Sequence, residues 1–599
     1  MLDDPRRQIA DAIAHAQPIG PEPPSSEGGD FDAGDGPAPF GDYDGDENGP
    51  SDLPPDGSVD PNLVAECAPL DHSDTDNGLR LRKHFGRDLV VMEQAGAKVP
   101  AFVAWTGTHW DVDTGGPAAM RIAQKIGALI ALEADHLTAT PDEIKAMRRG
   151  ADAEDELDTL EAKESPTDAE KQRIRLLRAL VDDGEAAKAE LKKRQIARRK
   201  FGVSSKNKAR LEAMLACAAP HMLIEPEAFN ANHLLVATAE CTLAFDRISD
   251  PECPDPDVTR WLGRCTPIPG HRREDMITKV LPIVYDPAAT CPRFDAFLDE
   301  FQPDAATRRM LQTWCGLGLL GLTSQHIVFH YGLGANGKSV FMETIMRVMG
   351  DLAVGLPAES ITGDGARGAG AASPDLARLY GVRCLRVLEL AADQPLQEAL
   401  VKKLTGGERI PVRTLFQGYF EFTPIFTGHM SGNGYPRIDG TDNGIWRRML
   451  VVHWPVTIAE ERRENFEDVL ARFAPEYAGI LNWMIEGAKR YMAEGLVIPE
   501  AVKLATKEYR DEMDPIGLFV GDCVSPAAGE SVTAREMYQA YVAWSEANAK
   551  KAFFETKFGR VMKTRFRRSE GSPRRYLDCR LHDVPATAPR SPSPEDYEP

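Results

Sequence analysis

The spacing of apolar residues changes along the chain, and each change predicts a different kind of element. Short apolar runs bounded by polar and turn-forming residues begin near Leu79, in DLVVME and AFVAWTGTHWDVD. The second run places Trp105 and Trp110 on either side of a glycine-containing turn. Runs of this length and composition are typical of β-strands. We therefore expect a small α/β or β-rich unit in this part of the chain.

Between Ala118 and about Ala219 the apolar residues recur instead at steps of three and four. That period matches one face of an α-helix, so the segment is predicted to form an extended helical hairpin or bundle. Its end carries the basic runs KKRQIARRK and SSKNK. Two interpretations of this end stay open, because a basic helix face either contacts phosphates or is simply solvated.

The sharpest change lies at HIVFHYGLGANGKSVFMETIMRVMG, where an apolar run, a Gly-rich turn and an amphipathic helix follow one another. The turn fits G-x-x-x-x-G-K-[ST], and a strand before it and a helix after it are the context that this pattern requires. In such a loop Lys338 neutralises the β- and γ-phosphates and Ser339 holds Mg²⁺. The residues predicted to bind ATP are Gly332, Gly334, Asn336, Gly337, Lys338 and Ser339.

A nucleotide hydrolase also needs an acid that organises the metal and the water, at the end of a strand adjacent to the loop strand. The run RCLRVLEL predicts a buried strand that is interrupted by Arg386 and has Glu389 at its carboxyl end. An acid after an apolar run is often only a strand end. The distance of Glu389 from the loop favours a catalytic role, in which it binds Mg²⁺ through water or polarises the attacking water.

Two further motifs follow. PIFTGHMSGNG predicts a third strand that ends at Asn433, whose amide would orient the water against the γ-phosphate; otherwise it is a turn former. GTDNGIWRRMLVVHWP places Arg447 and Arg448 just before another strand. In a ring motor such an arginine reaches the γ-phosphate of the neighbouring subunit. A paired arginine is more often solvated or salt-bridged, and the spacing alone does not decide between these interpretations.

Charge is distributed unevenly. A formal net charge of -22 argues against nucleic-acid binding for the chain as a whole. Much of the acid lies in a Gly-, Pro-, Ser- and Asp-rich stretch from Gln17 to about Asp76, which is expected to be disordered. Near the other end, a predicted helix, turn and helix lead into a basic hairpin, SPRRYLDCRLH. This region fits contact with the DNA backbone, and a helical cap that binds a protein is the alternative. Its basic residues are Lys557, Arg560, Lys563, Arg565, Arg567, Arg568, Arg574 and Arg575.

The sequence does not indicate a zinc-binding protein or a membrane protein. No CxxC pair occurs among the ten cysteines, so we expect reduced thiols and predict no metal site built from cysteines. Cys241, Cys253 and Cys265 are evenly spaced before His271, but zinc ligands usually come in closer pairs. No apolar run reaches the roughly 18 residues that span a bilayer, and the first residues, MLDDPRRQIADAIAHAQ, lack the basic, apolar and small-residue order of a signal peptide. We expect a cytoplasmic protein with no membrane partner.

The motifs together resemble a known family. YGLGANGKSVF, VLEL, VKKLTGGERIPVRTLF, FEFTP, SGNGYPRI and GTDNGIWRRM follow the order of the superfamily 3 AAA+ helicase domain of poxvirus-type and phage/plasmid primase-helicases. The likeness runs roughly from Leu79 to Pro455. It implies an α/β fold: an AAA+ P-loop ATPase core, a mixed α/β and helical N-terminal domain and a C-terminal winged-helix-like domain. The expected units are a disordered acidic arm at 1–78, a helicase-associated domain at 79–300, the ATPase at 301–490, the winged-helix-like domain at 491–583 and a disordered tail at 584–599.

The resemblance also implies a role for each motif residue. Gly332 to Ser339 would form the Walker A loop, Glu389 would be the Walker B acid and Asn433 the sensor of the γ-phosphate. Arg448 is the better candidate for the arginine finger, with Arg447 beside it.

Lys402 and Arg413 fall where the family places an extra motif with a β-hairpin that faces the ring channel. Those two side chains would contact DNA, or ATP across the subunit interface. One departure concerns the metal, because family members often have a second acid directly beside the Walker B residue. Here Leu390 follows, and the next acid is Asp393.

The implied activity is that of an ATP-dependent replicative DNA helicase of a phage, prophage or plasmid-like element. It would act as a homo-oligomeric ring, expected to be a hexamer, on single-stranded or forked DNA. The stretch before Leu79 is too short for the family's primase domain, so a separate primase or polymerase is an expected partner. Two alternatives stay open: a P-loop kinase acting on a small molecule, and a DNA-binding scaffold locked by nucleotide.

Overall fold

The computed structural model describes residues 59–96, 99–253, 259–363, 374–413, 419–439, 443–550 and 552–583. Most of the predicted acidic arm and the whole predicted tail lie outside these ranges. The arm was predicted to continue to residue 78, and this boundary is wrong. Helix α1 spans Pro61–Cys67 and α2 spans Asp74–Phe85. Asp60 and Ser73 cap the two helices through their side chains, which offsets the low apolar content of this stretch.

The first sheet of the chain confirms the predicted α/β unit. Strands β1 (Leu89–Met92), β2 (Ala101–Trp105), β3 (Trp110–Asp111) and β4 (Leu223–Ile224) lie in the order β3-β2-β1-β4. Strand β4 runs parallel to β1. Trp105 and Trp110 are paired across β2 and β3, with ring centroids 5.8 Å apart in an edge-to-face arrangement. The two indoles therefore flank the turn as predicted.

The predicted helical hairpin is also present. Helices α3 (Gly115–Glu133), α4 (Pro141–Glu161), α5 (Asp168–Ser205) and α6 (Lys208–Ala218) follow one another. Helices α4 and α5 approach so closely that a Cβ on Gly150 would lie 3.2 Å from the Cα of Gly184. Although α5 is 38 residues long, no helix in the described part of the chain is both long and apolar enough to cross a bilayer.

The basic end of α5 is largely engaged within its own unit. Arg194 donates to Glu143 at 2.6 Å, and Arg199 pairs with Asp135. Arg198 is buried and donates to the carboxylate of Glu133. The structural interpretation of this run is therefore favoured over direct phosphate contact.

Glu133 lies at the centre of a buried ion cluster. Its Oε1 accepts a hydrogen bond from Arg80 Nε at 2.8 Å, and its Oε2 accepts one from Arg80 Nη2 at 3.0 Å and another from Arg198. Arg80 and Glu133 are fully buried, and Arg198 is 6% exposed. The cluster joins α2, α3 and α5, three helices that are distant in the sequence.

Replacing Glu133 with alanine is expected to lower the free energy of unfolding by about 3–5 kcal/mol, because two buried guanidinium groups lose their counter-charge. Denaturant-induced unfolding followed by circular dichroism would measure this loss. Glu156→Ala is the matched control, since it breaks an exposed ion pair with Arg173 and should cost far less, because solvent screens exposed pairs. Equal losses in the two variants would contradict the role assigned to Glu133.

A second small sheet connects this unit to the next one. Strands β5 (Leu235–Ala237), β6 (Cys241–Ser249) and β7 (Trp261–Pro269) are antiparallel. Helices α7 (Pro292–Phe301) and α8 (Ala305–Leu320) follow. Leu234 and Phe245 share one hydrophobic core with Phe294 and Trp314. The predicted boundary at residue 300 thus falls inside a continuous core.

The central sheet is parallel and lies between two hydrophobic layers. Its strands have the order β14-β8-β13-β10-β9. Helices α8, α9 and α14 cover one face, and α11, α15 and the β11–β12 hairpin cover the other. The elements are β8 (Ile327–Tyr331), α9 (Lys338–Met349), β9 (Ala353–Leu356), α10 (Pro374–Ala377), β10 (Cys384–Leu390), α11 (Glu398–Leu404), β11 (Ile410–Arg413), β12 (Tyr419–Phe422), β13 (Thr427–Gly432), α12 (Asn443–Trp446), β14 (Met449–His453), α13 (Phe466–Phe473), α14 (Tyr477–Glu494) and α15 (Glu500–Met513).

Two details differ from the sequence predictions. The strand that carries Glu389 is not adjacent to the loop strand, because β13 lies between β10 and β8. Strand pairing depends on long-range packing, and the order of strands along the chain does not reveal it. The predicted end of the ATPase unit at residue 490 is also too early. Ala505 and Tyr509 of α15 belong to the core on the sheet's second face.

The last unit contains α16 (Pro515–Cys523), β15 (Val524–Thr533), α17 (Ala534–Ala547), α18 (Glu555–Arg565) and β16 (Arg575–Leu581). Its own core includes Phe519, Tyr541 and Phe558. The predicted pair of helices is confirmed, and so is the basic hairpin. Ser569 N donates to Arg575 O, and Leu577 N donates to Arg567 O. Strand β16 continues from this hairpin and pairs with β15.

Candidate nucleotide-binding site

The predicted phosphate loop joins the carboxyl end of β8 to the first residue of α9. Gly334 and Gly337 have φ angles of +102° and +80°, a region that residues with a Cβ rarely adopt. Gly337 also lies against α7, where an added Cβ would sit 3.0 Å from the rings of Phe297 and Phe301. The glycines of the motif therefore serve both the curved backbone and the close packing of α7.

Lys338 begins α9 and is only 3% exposed. Its Nζ donates to Gly332 O at 3.0 Å and to Asn433 Oδ1 at 2.6 Å. Burial lowers the pKa of Lys338, and the carboxylate of Glu389 acts in the opposite direction. A partly desolvated cation at a helix start is well placed to attract an anion.

Asn336 gives an independent indication of an anion site. The side chain is 2% exposed, and its Nδ2 has no hydrogen-bond partner among the described residues. A Cβ on Gly332 would lie 2.0 Å from this nitrogen, so the amide fills the space beside that glycine. A buried donor without an acceptor is costly, and a phosphate oxygen would satisfy it. The loop therefore fits the triphosphate that the motif predicts.

The other predicted catalytic residues lie at the carboxyl ends of the strands, as the phosphate loop does. Asn433 directly follows β13, the neighbour of the loop strand, and its amide already contacts Lys338. Glu389 lies near the end of β10, at an irregularity in the pairing with β13, and is exposed. Ser339 is half-buried in the first turn of α9. Since Mg²⁺ prefers oxygen ligands, Ser339 and Glu389 fit a metal beside the phosphates.

The two arginines lie at the amino-terminal ends of these strands, opposite the ends that carry the phosphate loop. Arg448 O accepts a hydrogen bond from Ile327 N, at the amino end of the loop strand. Five residues of extended chain separate that point from Gly332, a distance of about 16 Å at the usual rise of a strand. Neither arginine is therefore expected to reach the phosphate loop of its own chain.

The two arginines differ in the solvent exposure of their side chains. Arg448 is 7% exposed, and it donates from Nε to Thr405 Oγ1 at 3.0 Å and from Nη1 to Gly444 O at 2.7 Å. Arg447 is exposed. Arg448 was the preferred finger candidate, yet its guanidinium group is engaged within its own chain.

The remaining predicted contact residues lie outside this edge. The expected β-hairpin is present as β11 and β12, with Ile410 opposite Phe422, and Arg413 ends β11. Lys402 on α11 lies 3.6 Å from Glu398. In the last unit, Arg560 and Lys563 are exposed on α18. The structure does not bring this second group together with the phosphate loop.

Lys557 differs from its neighbours on α18. Its Nζ lies 3.2 Å from Asp439 Oδ1 and 3.8 Å from the centre of the Phe553 ring. The ion pair ties the last unit to the loop that follows β13. Lys557 is thus partly occupied, whereas Arg560 and Lys563 are the more available cations of the predicted DNA-contact set.

Comparison with known proteins adds a family match. Residues 78–303 match the family described as "D5 N terminal like". A protein of Acanthamoeba polyphaga mimivirus, named "Putative helicase L207/L206", is 27% identical over 277 residues, which are 43% of this chain and 29% of the relative. "Putative helicase 022R" of Frog virus 3 is 26% identical over 285 residues, 45% of this chain and 29% of the relative.

The chain is thus similar over residues 78–303 to that family, and over less than half of its length to viral proteins named as putative helicases. It spans less than a third of the length of these viral relatives. A solved structure of the NrS-1 C terminal region is 11% identical, with a TM-score of 0.32, over 56% of this chain and 96% of that one. The family match ends at residue 303 and so includes α7, whose Phe297 and Phe301 rest on the phosphate loop.

The sequence predictions missed a buried chain of rings beneath the loop. Trp454 Nε1 donates to His330 Nδ1 at 3.0 Å, and His330 Nε2 lies 3.1 Å from His429 Nδ1. Burial lowers the pKa of both histidines, that of His429 to about 3, so both are neutral. These hydrogen-bonded rings link β8, which leads into the loop, to β13, which leads to Asn433. A single histidine within an apolar run carries no sequence signal for such a role.

Proposed function

We propose that this protein is an ATP-dependent DNA helicase whose subunits form a ring and translocate on DNA. The main support is the gathering of Lys338, Asn433 and Glu389 at one edge of a parallel sheet, with an exposed arginine at the other edge. One edge is equipped to hold a triphosphate, and the other to complete the site of a neighbouring subunit. The viral relatives named as helicases point to the same class of activity.

Each residue then has a defined task in the proposed reaction. Lys338 and the loop amides hold the β- and γ-phosphates, and Ser339 and Glu389 would hold Mg²⁺. Glu389 accepts the proton of the attacking water, and Asn433 orients that water. Bound ATP supplies the phosphoanhydride whose cleavage drives the motor. Arg447 reaches across from the adjacent subunit and stabilises the charge that develops on the γ-phosphate.

DNA contact is proposed for two basic surfaces. Arg560 and Lys563 on α18 form the first, in a unit that would act as a winged-helix-like module. Lys402 and the β11–β12 hairpin, whose first strand ends at Arg413, form the second, on the channel side of the ring. A separate primase or polymerase would extend the unwound strand. Neither the small-molecule kinase nor the nucleotide-locked scaffold has comparable support from the relatives.

The test is ATP hydrolysis with and without single-stranded DNA, followed by strand displacement on a forked duplex. DNA is expected to raise turnover several-fold, and the effect should fall steeply as salt rises, because phosphate contacts release counterions. The double variant Arg560→Ala, Lys563→Ala should require more DNA for half-maximal stimulation. Arg175→Ala, an exposed arginine on α5, is the matched control. Turnover that ignores DNA and a fork that stays annealed would reject the proposal.

A further inference from the structure

A column of aromatic rings lies next to the phosphate loop. Tyr331, the last residue of β8, stacks on Tyr435 with ring centroids 4.4 Å apart and planes 16° apart. Tyr435 stacks on the buried Tyr509 at 4.2 Å. At the other end, the ring of His453 lies 5.5 Å from that of Tyr331, and its side chain is exposed. The column is therefore anchored in the core and open at His453.

This open end borders a cavity of about 330 Å³. The volume is within the range of sites that hold small organic ligands. The lining includes Tyr331, Tyr435 and His453, together with Glu508 from α15 and Asp304 from the start of α8. Tyr331 directly precedes Gly332, whose carbonyl accepts a hydrogen bond from Lys338. The cavity thus begins one residue away from the phosphate loop.

The other side of the loop is closed. Phe297 and Phe301 of α7 pack against Gly337, and Ile458 N donates to Ala335 O at 2.7 Å. A nucleotide whose phosphates lie in the loop therefore has an open recess on the Tyr331 side.

The charge of the cavity points to the kind of group it accepts. Its described lining contains no lysine or arginine, so a phosphate is a poor occupant. Of its two carboxylates, Asp304 is occupied as a helix cap, since its Oδ2 accepts from Thr307 N at 2.9 Å. Glu508 is exposed and has no hydrogen-bond partner among the described residues. It is therefore available to accept from a donor group on a ligand.

We propose that this cavity holds the nucleobase of the bound nucleotide, stacked on the open end of the ring column, with the exocyclic amino group of adenine donating to Glu508. Flat rings favour any base, whereas the carboxylate accepts from the 6-amino group of adenine and repels the 6-oxo group of hypoxanthine or guanine. The inference rests on the proposed nucleotide site, and it assigns base stacking to His453 and base specificity to Glu508.

The experiment compares three ligands by calorimetry in the presence of Mg²⁺: ADP, IDP and pyrophosphate. ADP and IDP differ at position 6 of the purine, which carries an amino group or an oxo group, and pyrophosphate has no base. The wild-type protein is expected to bind ADP about 10-fold more tightly than IDP, as for one hydrogen bond to a charged acceptor.

Two variants separate stacking from base selection, and both replace exposed side chains. Glu508→Gln should bring the affinities for ADP and IDP close together, because an amide can donate to the oxo group as well as accept from the amino group. His453→Ala should weaken both nucleotides about 5-fold or more through lost stacking. Neither substitution should weaken pyrophosphate. Lys503→Ala, an exposed neighbour on α15 outside the cavity, is the matched control.

The outcomes distinguish this inference from the proposed function. If the wild-type protein binds neither ADP nor pyrophosphate, the nucleotide site itself is rejected. If both bind and Lys338→Ala abolishes binding, yet Glu508→Gln keeps the wild-type preference and His453→Ala binds ADP normally, only the base pocket is rejected.

Discussion

Replacing Arg447 by alanine is expected to reduce the turnover of ATP about 1,000-fold or more, with little change in stability. The magnitude is that of a lost arginine finger, which stabilises transition-state charge and contributes little to folding. Arg447 is exposed and lies at the edge of the sheet opposite the phosphate loop. Its effect should therefore act on the site of the neighbouring subunit. Phosphate release at saturating ATP and thermal unfolding would measure the two quantities.

Arg448→Ala should give a different result. This side chain is buried, and its removal takes away the hydrogen bonds that it donates to Thr405 Oγ1 and Gly444 O. A hydrogen bond from a charged group contributes about 1.5–3 kcal/mol, so this variant should unfold at a lower temperature. Any loss of activity in Arg448→Ala should follow the loss of folded protein.

Mixing experiments decide whether Arg447 acts between subunits. Inactive Arg447→Ala subunits added to wild-type protein should lower turnover by more than simple dilution, because each one impairs a neighbour's site. Arg175→Ala subunits should produce dilution alone. The assignment fails if Arg447→Ala retains full turnover, or if Arg448→Ala loses turnover while keeping its stability and poisoning the mixture.

The sequence did not show which of these two arginines is buried and which is exposed. Both residues precede the same strand, and a helical turn, α12, leads into them. Which of the two points into the core depends on how that turn packs against Thr405 of a distant segment. The motif predicts an arginine at this place. Only the tertiary contacts show that Arg448 is buried and that Arg447 is exposed.

The phosphate loop was more predictable because its chemistry is local. A strand, a glycine turn and a helix lie within one short segment, and the motif fixes their order. The ends of β10 and β13 were also predictable to within a residue, because Glu389 and Asn433 mark the predicted ends of the two strands. That Glu389 and Asn433 lie at the same edge follows from parallel strands. The position of β13 between β10 and the loop strand could not be predicted in this way.

Long-range polar contacts were not predictable. Glu133 lies within a helical pattern, and nothing near it in the sequence indicates Arg80 or Arg198 as partners. The ring column has the same origin, because Tyr331, Tyr435 and Tyr509 come from three separate segments. Each residue alone looks like an ordinary aromatic core position. Their stacking, and the cavity beside it, exist only in the folded chain.

Replacing Lys338 with methionine is expected to lower ATP turnover about 100- to 1,000-fold, comparable to the loss of one essential transition-state donor. Methionine keeps an unbranched apolar stem in the space that the lysine fills, so the comparison isolates the charge from the packing. The variant should also bind pyrophosphate far more weakly, since Nζ is the cation of the cradle formed by Gly332 and Asn433. Phosphate release and calorimetry measure the two effects.

The control for Lys338→Met is Lys188→Met, at an exposed lysine on α5 that pairs only with Glu185 in the contacts described. Asn433→Ala adds a sharper distinction. It removes an acceptor from Lys338 but leaves the cation in place, so it should reduce turnover while pyrophosphate still binds. If Lys338→Met hydrolyses ATP at the wild-type rate, then the loop is not the catalytic phosphate site. Since the ring, the trans arginine and the base pocket all depend on phosphates held at Lys338, that single result would reject them together.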